Sequence, residues 1–174
     1  MIIKGIVVIP TQGFANRIKM IASTNIFCKL KKIKLFICWN KSEECNIELE
    51  DIFTKKNNFS TITLDEIQNN KYCYFGRVHT CSLFDKIDKV IEDKENQFEY
   101  LLIEGGHEFK HTSMERIQFM YHKRNFYRSL VFSNKIMTKV NKFLDINKNI
   151  FSNNSKIVGV HYREIDSKYD SMDI

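Results

Sequence analysis

"IIKGIVVIPTQGFANRIKMIASTNIFCKLKKIKLFICW", residues 2–39, carries the fold in its pattern of apolar and polar positions. Ile2 to Ile9 is a near-continuous apolar run, the mark of a strand buried on both faces of a parallel sheet. Pro10 ends that run, and the polar turn Thr11-Gln12-Gly13 follows it. From Phe14 to Lys31 the apolar residues Ile18, Ile21, Ala22, Ile26 and Leu30 recur at helical spacing, with Lys19, Lys29 and Lys31 between them. Ile33 to Trp39 is a second apolar run of strand type. Strand, helix and strand together make a βαβ unit, which is right-handed in nearly all sheets.

Outward from this unit the signals are shorter. Residues 41–60 are polar and mixed, a short helix or loop around Ile47, Leu49, Ile52 and Phe53. Thr61 to Leu64 and Tyr72 to Phe75 read as short strands, and Tyr100 to Glu104 as a firmer one ended by Gly105-Gly106. Residues 113–128 favour helix, and Ser133 is placed to cap a helix with Ile136, Val140, Phe143 and Leu144 on one face. "NKNIFSNNSK", 147–156, reads as a polar loop before a last buried strand, Ile157 to His161. The alternation predicts an α/β fold, a Rossmann-like three-layer domain with a mostly parallel sheet.

Composition narrows the classes of function. A chain of 174 residues with 43% apolar content suits a globular domain, and it holds no apolar run long enough to span a bilayer. The N-terminus shows no charged, apolar and small-residue series of a secretory signal, so the expected location is cytoplasmic. Five cysteines (Cys28, Cys38, Cys45, Cys73, Cys81) form no C-x-x-C pair and read as small buried hydrophobes, not as a disulfide or zinc framework. The net charge of +6 favours anionic partners such as phosphates or nucleotides. Its lysines are scattered and not interleaved with aromatics, which argues against nucleic acid.

Two places carry candidate chemistry. Ligands of open parallel sheets bind beyond the carboxyl ends of the strands, where Gly13, Phe14, Asn16 and Arg17 stand at the start of the first helix. The amides of a helix N-terminus favour an anion there. Asn16 adds a neutral donor and acceptor, and Arg17 a planar cation. Equally, Gly13 can serve the turn, Asn16 a local cap and Arg17 a solvated helix face. The last strand ends in "VGVHYREID", 158–166, in which His161 and Arg163 alternate onto one side and suit a phosphate, or end a strand with Arg163 paired to a neighbouring carboxylate. His107 and His111, four apart, lack a third metal ligand at a telling spacing. Gly105-Gly106-His107 follows a strand and can border the cleft, while Phe119, Tyr121, Phe126 and Tyr127 read as packing residues. Cys81 and His79 do not form a nucleophile and base pair.

"QGFANRIKMIASTNIFCKLKKIKLFICW" resembles the N-terminal loop, helix and strand of the GT-B fucosyltransferase superfamily, which includes α-1,6-, nodulation and protein O-fucosyltransferases. "FYRSLVFSNKIMTKVNKF" resembles the segment between their domains, with Phe132 where a proline is usual. "VGVHYREID" resembles their I-G-V-H-I-R-R-x-D motif, with Glu164 in place of the frequent second arginine. The resemblance implies a metal-independent, inverting transferase that uses no cofactor and takes GDP-fucose or a related sugar nucleotide as donor. Gly13, Phe14, Asn16 and Arg17 would line the cleft near acceptor and sugar, joined by His161, Arg163 and Asp166. Arg163 on the β-phosphate and Asn16 would be the catalytic pair. Residues 1–146 would be the acceptor-side domain, and 147–174 a linker and the first strand of a truncated donor-binding domain, since 13 residues follow His161. The expected partners are a sugar nucleotide and a glycan or protein acceptor, with a second chain or copy completing the fold. The competing reading is a non-catalytic α/β module that binds a glycan, a nucleotide or a protein.

Overall fold

Strand β1 (Gly5–Pro10) lies inside a four-stranded sheet ordered β2-β1-β4-β3, with β2 at Leu35–Ile37, β3 at Tyr72–Arg77 and β4 at Tyr100–Gly105. Every pairing is parallel. The structure is a computed structural model and describes residues 3–57, 59–77, 83–93 and 95–149. The helices are α1 (Phe14–Lys31), α2 (Leu49–Ile52), α3 (Leu64–Gln68), α4 (Leu83–Glu92), α5 (Arg116–Ser129) and α6 (Asn134–Ile146). This is the α/β, Rossmann-like arrangement that the alternating pattern implies. By its internal contacts the chain divides into two units, Met1–Ile136 and Met137–Ile174. The sheet, α1 to α5 and everything described below belong to the first.

The opening βαβ unit forms as its periodicity requires, and α1 has the expected bounds. It stops at Lys32, whose left-handed backbone returns an N–H to the carbonyls of Cys28 and Lys29. Strand β2 is shorter than the apolar run Ile33 to Trp39 because the Ile33 amide is spent on Cys28 O at 2.9 Å, closing the helix. The expected strand Thr61 to Leu64 is corrected. Thr61 alone bridges to Ile37 of β2, and Thr63 then starts α3 with a capping box to Glu66. The Thr63-x-x-Glu66 spacing satisfies two orphan amides at once, and this outweighs the β-propensity of Thr61, Ile62 and Thr63. Helix α4 was not among the expected elements. Ser133 Oγ accepts from the Ile136 amide at 3.4 Å, capping the start of α6, and donates to Asp51 O at 2.6 Å. The predicted strand Ile157 to His161 lies outside the described residues.

Alternation along the strands divides the core in two. Ile6, Val8, Leu101 and Ile103 face one side and pack with Met20, Ile21 and Phe27 of α1, Ile87 of α4 and Phe126 of α5. Val7 and Leu102 face the other, where Ile67 of α3 and Cys38 join them. Fully burying an aliphatic side chain of this size contributes roughly 1.5–3 kcal/mol, so the first side supplies most of the stability. Gly5 is required by β2. A Cβ there would meet the Phe36 ring at 2.5 Å and the Lys34 carbonyl at 2.9 Å.

Candidate functional site

All four strands run the same way, so their carboxyl ends share one edge of the sheet, and the turn after β1 stands on it. Thr11 N donates to Gly105 O at 2.7 Å, extending the β1–β4 pairing one step and setting the turn against Gly105-Gly106. Gln12 then takes a left-handed conformation, φ 67°, which costs a non-glycine residue about 1 kcal/mol. Three features hold it. Arg17 Nε donates to Gln12 O at 2.7 Å, and Asn16 Nδ2 donates to Gln12 Oε1 at 2.7 Å. Gly106 leaves room for the Gln12 side chain, because a Cβ there would stand 2.5 Å from Oε1.

Gly13 is not the left-handed residue of the turn. Its backbone is extended, φ −66°, and its carbonyl accepts from the amides of Asn16 and Arg17 at 3.0 and 3.2 Å. No side chain caps α1, and its first turn carries no acidic residue, so its positive end faces the edge of the sheet. Phe14 is exposed and leans toward Phe53, ring centres 6.2 Å apart. Asn16 is half-buried beside Gln12.

Arg17, expected at the cleft or in solvent, is turned inward and is 1% exposed. Its Nη1 donates to Asn40 O at 2.5 Å and its Nη2 to Ser42 Oγ at 2.8 Å, while the guanidinium lies 4.8 Å from the centre of the Trp39 ring. It bolts the turn after β1 to the turn after β2. Beside it, burial raises the Cys38 thiol above its usual range, partly offset by a hydrogen bond with Asn40, so this cysteine is not an activated nucleophile. Across the edge, Tyr74 on β3 donates its hydroxyl to Glu104 Oε2 on β4.

His107 and His111 do not share a helix face, since residues 107–111 are not helical. Both ring nitrogens of His111 are engaged. Nδ1 accepts from the Ser113 amide at 3.1 Å, so Nε2 carries the proton and donates to Asp88 Oδ2 at 2.7 Å. Among the described residues no group of three His, Cys, Asp or Glu is placed to hold a metal ion. Of the expected site residues, Gly13, Phe14, Asn16 and Arg17 lie together at the first turn of α1, while His161, Arg163 and Asp166 fall outside the described residues. Gln12, Asn40, Ser42, Tyr74 and Glu104 are not among the expected site residues. Only the polar turn after β1 hinted at Gln12, and the adjacent glycine drew attention from it.

An uncapped helix start over the carboxyl edge of a parallel sheet defines a Rossmann-like α/β protein with a polar cleft edge. Solved structures share that fold. Fucosyltransferase NodZ from Bradyrhizobium superposes with a TM-score of 0.53 at 12% identity, covering 84% of this chain and 57% of that one. NodZ α-1,6-fucosyltransferase co-crystallised with GDP, and the same enzyme soaked with GDP-fucose, each give 0.50 at 12% identity over 83% of this chain and 56% of theirs. The chain thus spans rather more than half the length of these neighbours. No protein-family model and no curated protein matches the sequence. No helix among the described residues is long and apolar enough to cross a membrane.

Proposed function

We propose that this chain is the acceptor-side part of a GT-B glycosyltransferase that transfers fucose from GDP-fucose with inversion. The observation that carries the reading is the shared fold with NodZ, combined with an uncapped, non-acidic start of α1 at the edge where such sheets bind ligands. Residues 1–146 are the acceptor-side domain in this reading, and 147–174 a linker and the first strand of the donor-binding domain. An acceptor hydroxyl attacks C1 of fucose as the bond from C1 to the β-phosphate oxygen breaks. GDP leaves with the bonding electrons, and the hydroxyl proton is given up to a base. Arg163 takes the charge growing on the diphosphate, which stabilises the transition state more than the ground state. Asn16 hydrogen-bonds at the reacting sugar, with Gly13, Phe14, His161 and Asp166 lining the site. Arg17 acts as a positioning residue, since its guanidinium sets the turn that presents Asn16.

Calorimetric titration with GDP-fucose and GDP tests this, with Arg163→Ala and Asn16→Ala alongside. The expected result is saturable binding that weakens at least about tenfold in Arg163→Ala, a loss of about 1.4 kcal/mol. Absence of binding to either nucleotide removes the donor site, and with it the catalytic roles given to Arg163 and Asn16, and leaves the non-catalytic binding module.

A further inference from the structure

Glutamates line the two cavities of about 490 and 280 Å³ around α2 and the end of β2, Glu50 in both and Glu48 and Glu66 in the smaller. A further cavity, of about 430 Å³, has the opposite character. It lies between the second half of α1, strand β2 and the end of α5, and its volume suits a small-molecule site, about 300–1,000 Å³. Lys29 of α1, Lys34 just before β2 and Lys56 of the helical turn Lys55–Asn57 line it, and no Asp or Glu does. We propose that this cavity is an anion site for a ligand that carries two or more linked phosphates.

The positive charge is uncompensated. Among the described residues Lys4, Lys31, Lys41, Lys123 and Lys135 pair with carboxylates, whereas Lys29, Lys34 and Lys56 do not. These three come from separate segments onto one concavity, where their like charges repel until an anion joins them. Lys34 Nζ rests on the Phe36 ring, 4.7 Å from its centre. An exposed contact of that kind is weaker than a charge-assisted bond to phosphate, so the ammonium is free to turn.

Neutral donors stand beside the lysines. Asn25 and Ser60 are half-buried in the wall, and neither side chain has a partner among the described residues. An amide N–H and a hydroxyl both donate to phosphate oxygens. The floor is apolar, from buried Ile37 and Phe126 and half-buried Phe59, whose ring meets Phe53 edge-on with centres 5.7 Å apart. Such a floor excludes water on one side and strengthens the pull of the lysines on an anion. All three cations are ammonium groups, compact point charges without the planar fork that grips a flat carboxylate. They suit the diverging oxygens of linked phosphates. Lys29 and Lys34 stand where α1 returns to the amino end of β2, the opposite edge of the sheet from the turn after β1. The site is therefore separate from the one given to fucosyl transfer, and it does not rest on that reading.

Calorimetric titration of the whole chain with pyrophosphate, tripolyphosphate and ADP at low salt tests the assignment. The expected result is one saturable site with a submillimolar constant, tighter for tripolyphosphate than for pyrophosphate. Lys29→Ala, Lys34→Ala and Lys56→Ala together should weaken it about thirtyfold, roughly threefold for each exposed contact. A second triple variant, Lys4→Ala, Lys86→Ala and Lys89→Ala, removes the same charge from exposed positions outside the cavity. It should stay within about twofold of the parent, since distant exposed charges are screened. ADP binding more tightly than pyrophosphate identifies an organic diphosphate whose ring covers Phe59, and equal binding identifies an inorganic one. Absence of saturable binding of all three up to about 5 mM overturns the inference. Equal weakening in the two triple variants overturns it as well, because the attraction is then to net charge and not to the cavity.

Discussion

Arg17 Nε reaches back five residues to the main-chain oxygen of Gln12, 2.7 Å away, and so spans the turn that keeps Gln12 in the left-handed region. Replacing Arg17 with Ala leaves Gln12 O, Asn40 O and Ser42 Oγ without their donor and opens a void under Trp39. The expected loss is about 3 kcal/mol in urea unfolding, because unsatisfied buried polar groups cost roughly 1–3 kcal/mol each and some regain water. Arg17→Lys recovers little, since an ammonium cannot reach three acceptors in a plane. An Arg17→Ala protein as stable as the parent but deaf to nucleotide would instead make Arg17 a ligand residue.

Gln12 itself separates backbone strain from side-chain contact. Gln12→Gly removes the left-handed penalty and also the bond to Asn16, two effects of about 1 kcal/mol each and opposite sign, so stability should hold within about 1 kcal/mol. Gln12→Val keeps the unfavourable φ, adds a branched Cβ and should lose about 2 kcal/mol or more. Thermal melts of the two variants settle it: equal midpoints would mean that the turn relaxes out of the left-handed region without cost.

Gly5→Ala tests the close approach of β1 and β2. The added methyl would fall 2.9 Å from the Lys34 carbonyl, a backbone atom that cannot swing aside, as well as on the Phe36 ring. Overpacking of this kind costs typically 1–3 kcal/mol. A denaturant midpoint unchanged from the parent would show that β2, three residues long, shifts freely.

Cys28 makes stability fall at alkaline pH. Burial pushes its thiol up to about 12 from 9.0, so the folded chain holds that proton more tightly than the unfolded one. The stabilisation is complete below pH 9.0 and is lost as pH rises toward 12, at a limiting slope of about 1.4 kcal/mol per pH unit. Tyr127, raised to about 12 from 10.0 mainly by burial and also by Glu108, adds to the decline only above pH 10. Unfolding curves of the parent and Cys28→Ala between pH 9 and 10 should therefore differ in slope. Parallel curves would mean that the thiol ionises in place.

The sheet and α1 were legible because burial imposes long, periodic patterns: the run into Pro10, the spacing from Ile18 to Leu30, and the run around Phe36. Thr61 to Leu64 misled because Thr and Ile carry β-propensity, whereas the capping bonds of Thr63 and Glu66 decide the local outcome. Helix α4 does carry a periodic signal, Leu83, Ile87, Val90 and Ile91 at helical spacing, of which Ile87 is buried and Val90 and Ile91 pack against the core, but it spans only ten residues among many charges. At the site, the position of Asn16 on the first turn of α1 followed from the pattern. The inward turn of Arg17 did not, since its acceptors Asn40 and Ser42 come from a loop more than twenty residues away. The two cavities around α2 and the end of β2 are lined by Trp39, Leu49, Phe53 and Phe59, which no single window of sequence unites.

The two sides of the sheet are unequally covered: among the described residues, seventeen buried side chains pack on one and four on the other, where α3 contributes Ile67. A five-residue helix held by one buried anchor is the low-energy opening unit of such a fold. In native-state hydrogen exchange its amides should therefore exchange through a local excursion, well before those of α1, which wait for global unfolding. Because Glu66 of that helix also lines the cavity of about 280 Å³ at the end of β2, this wall of the cavity opens as a unit of its own, ahead of α1.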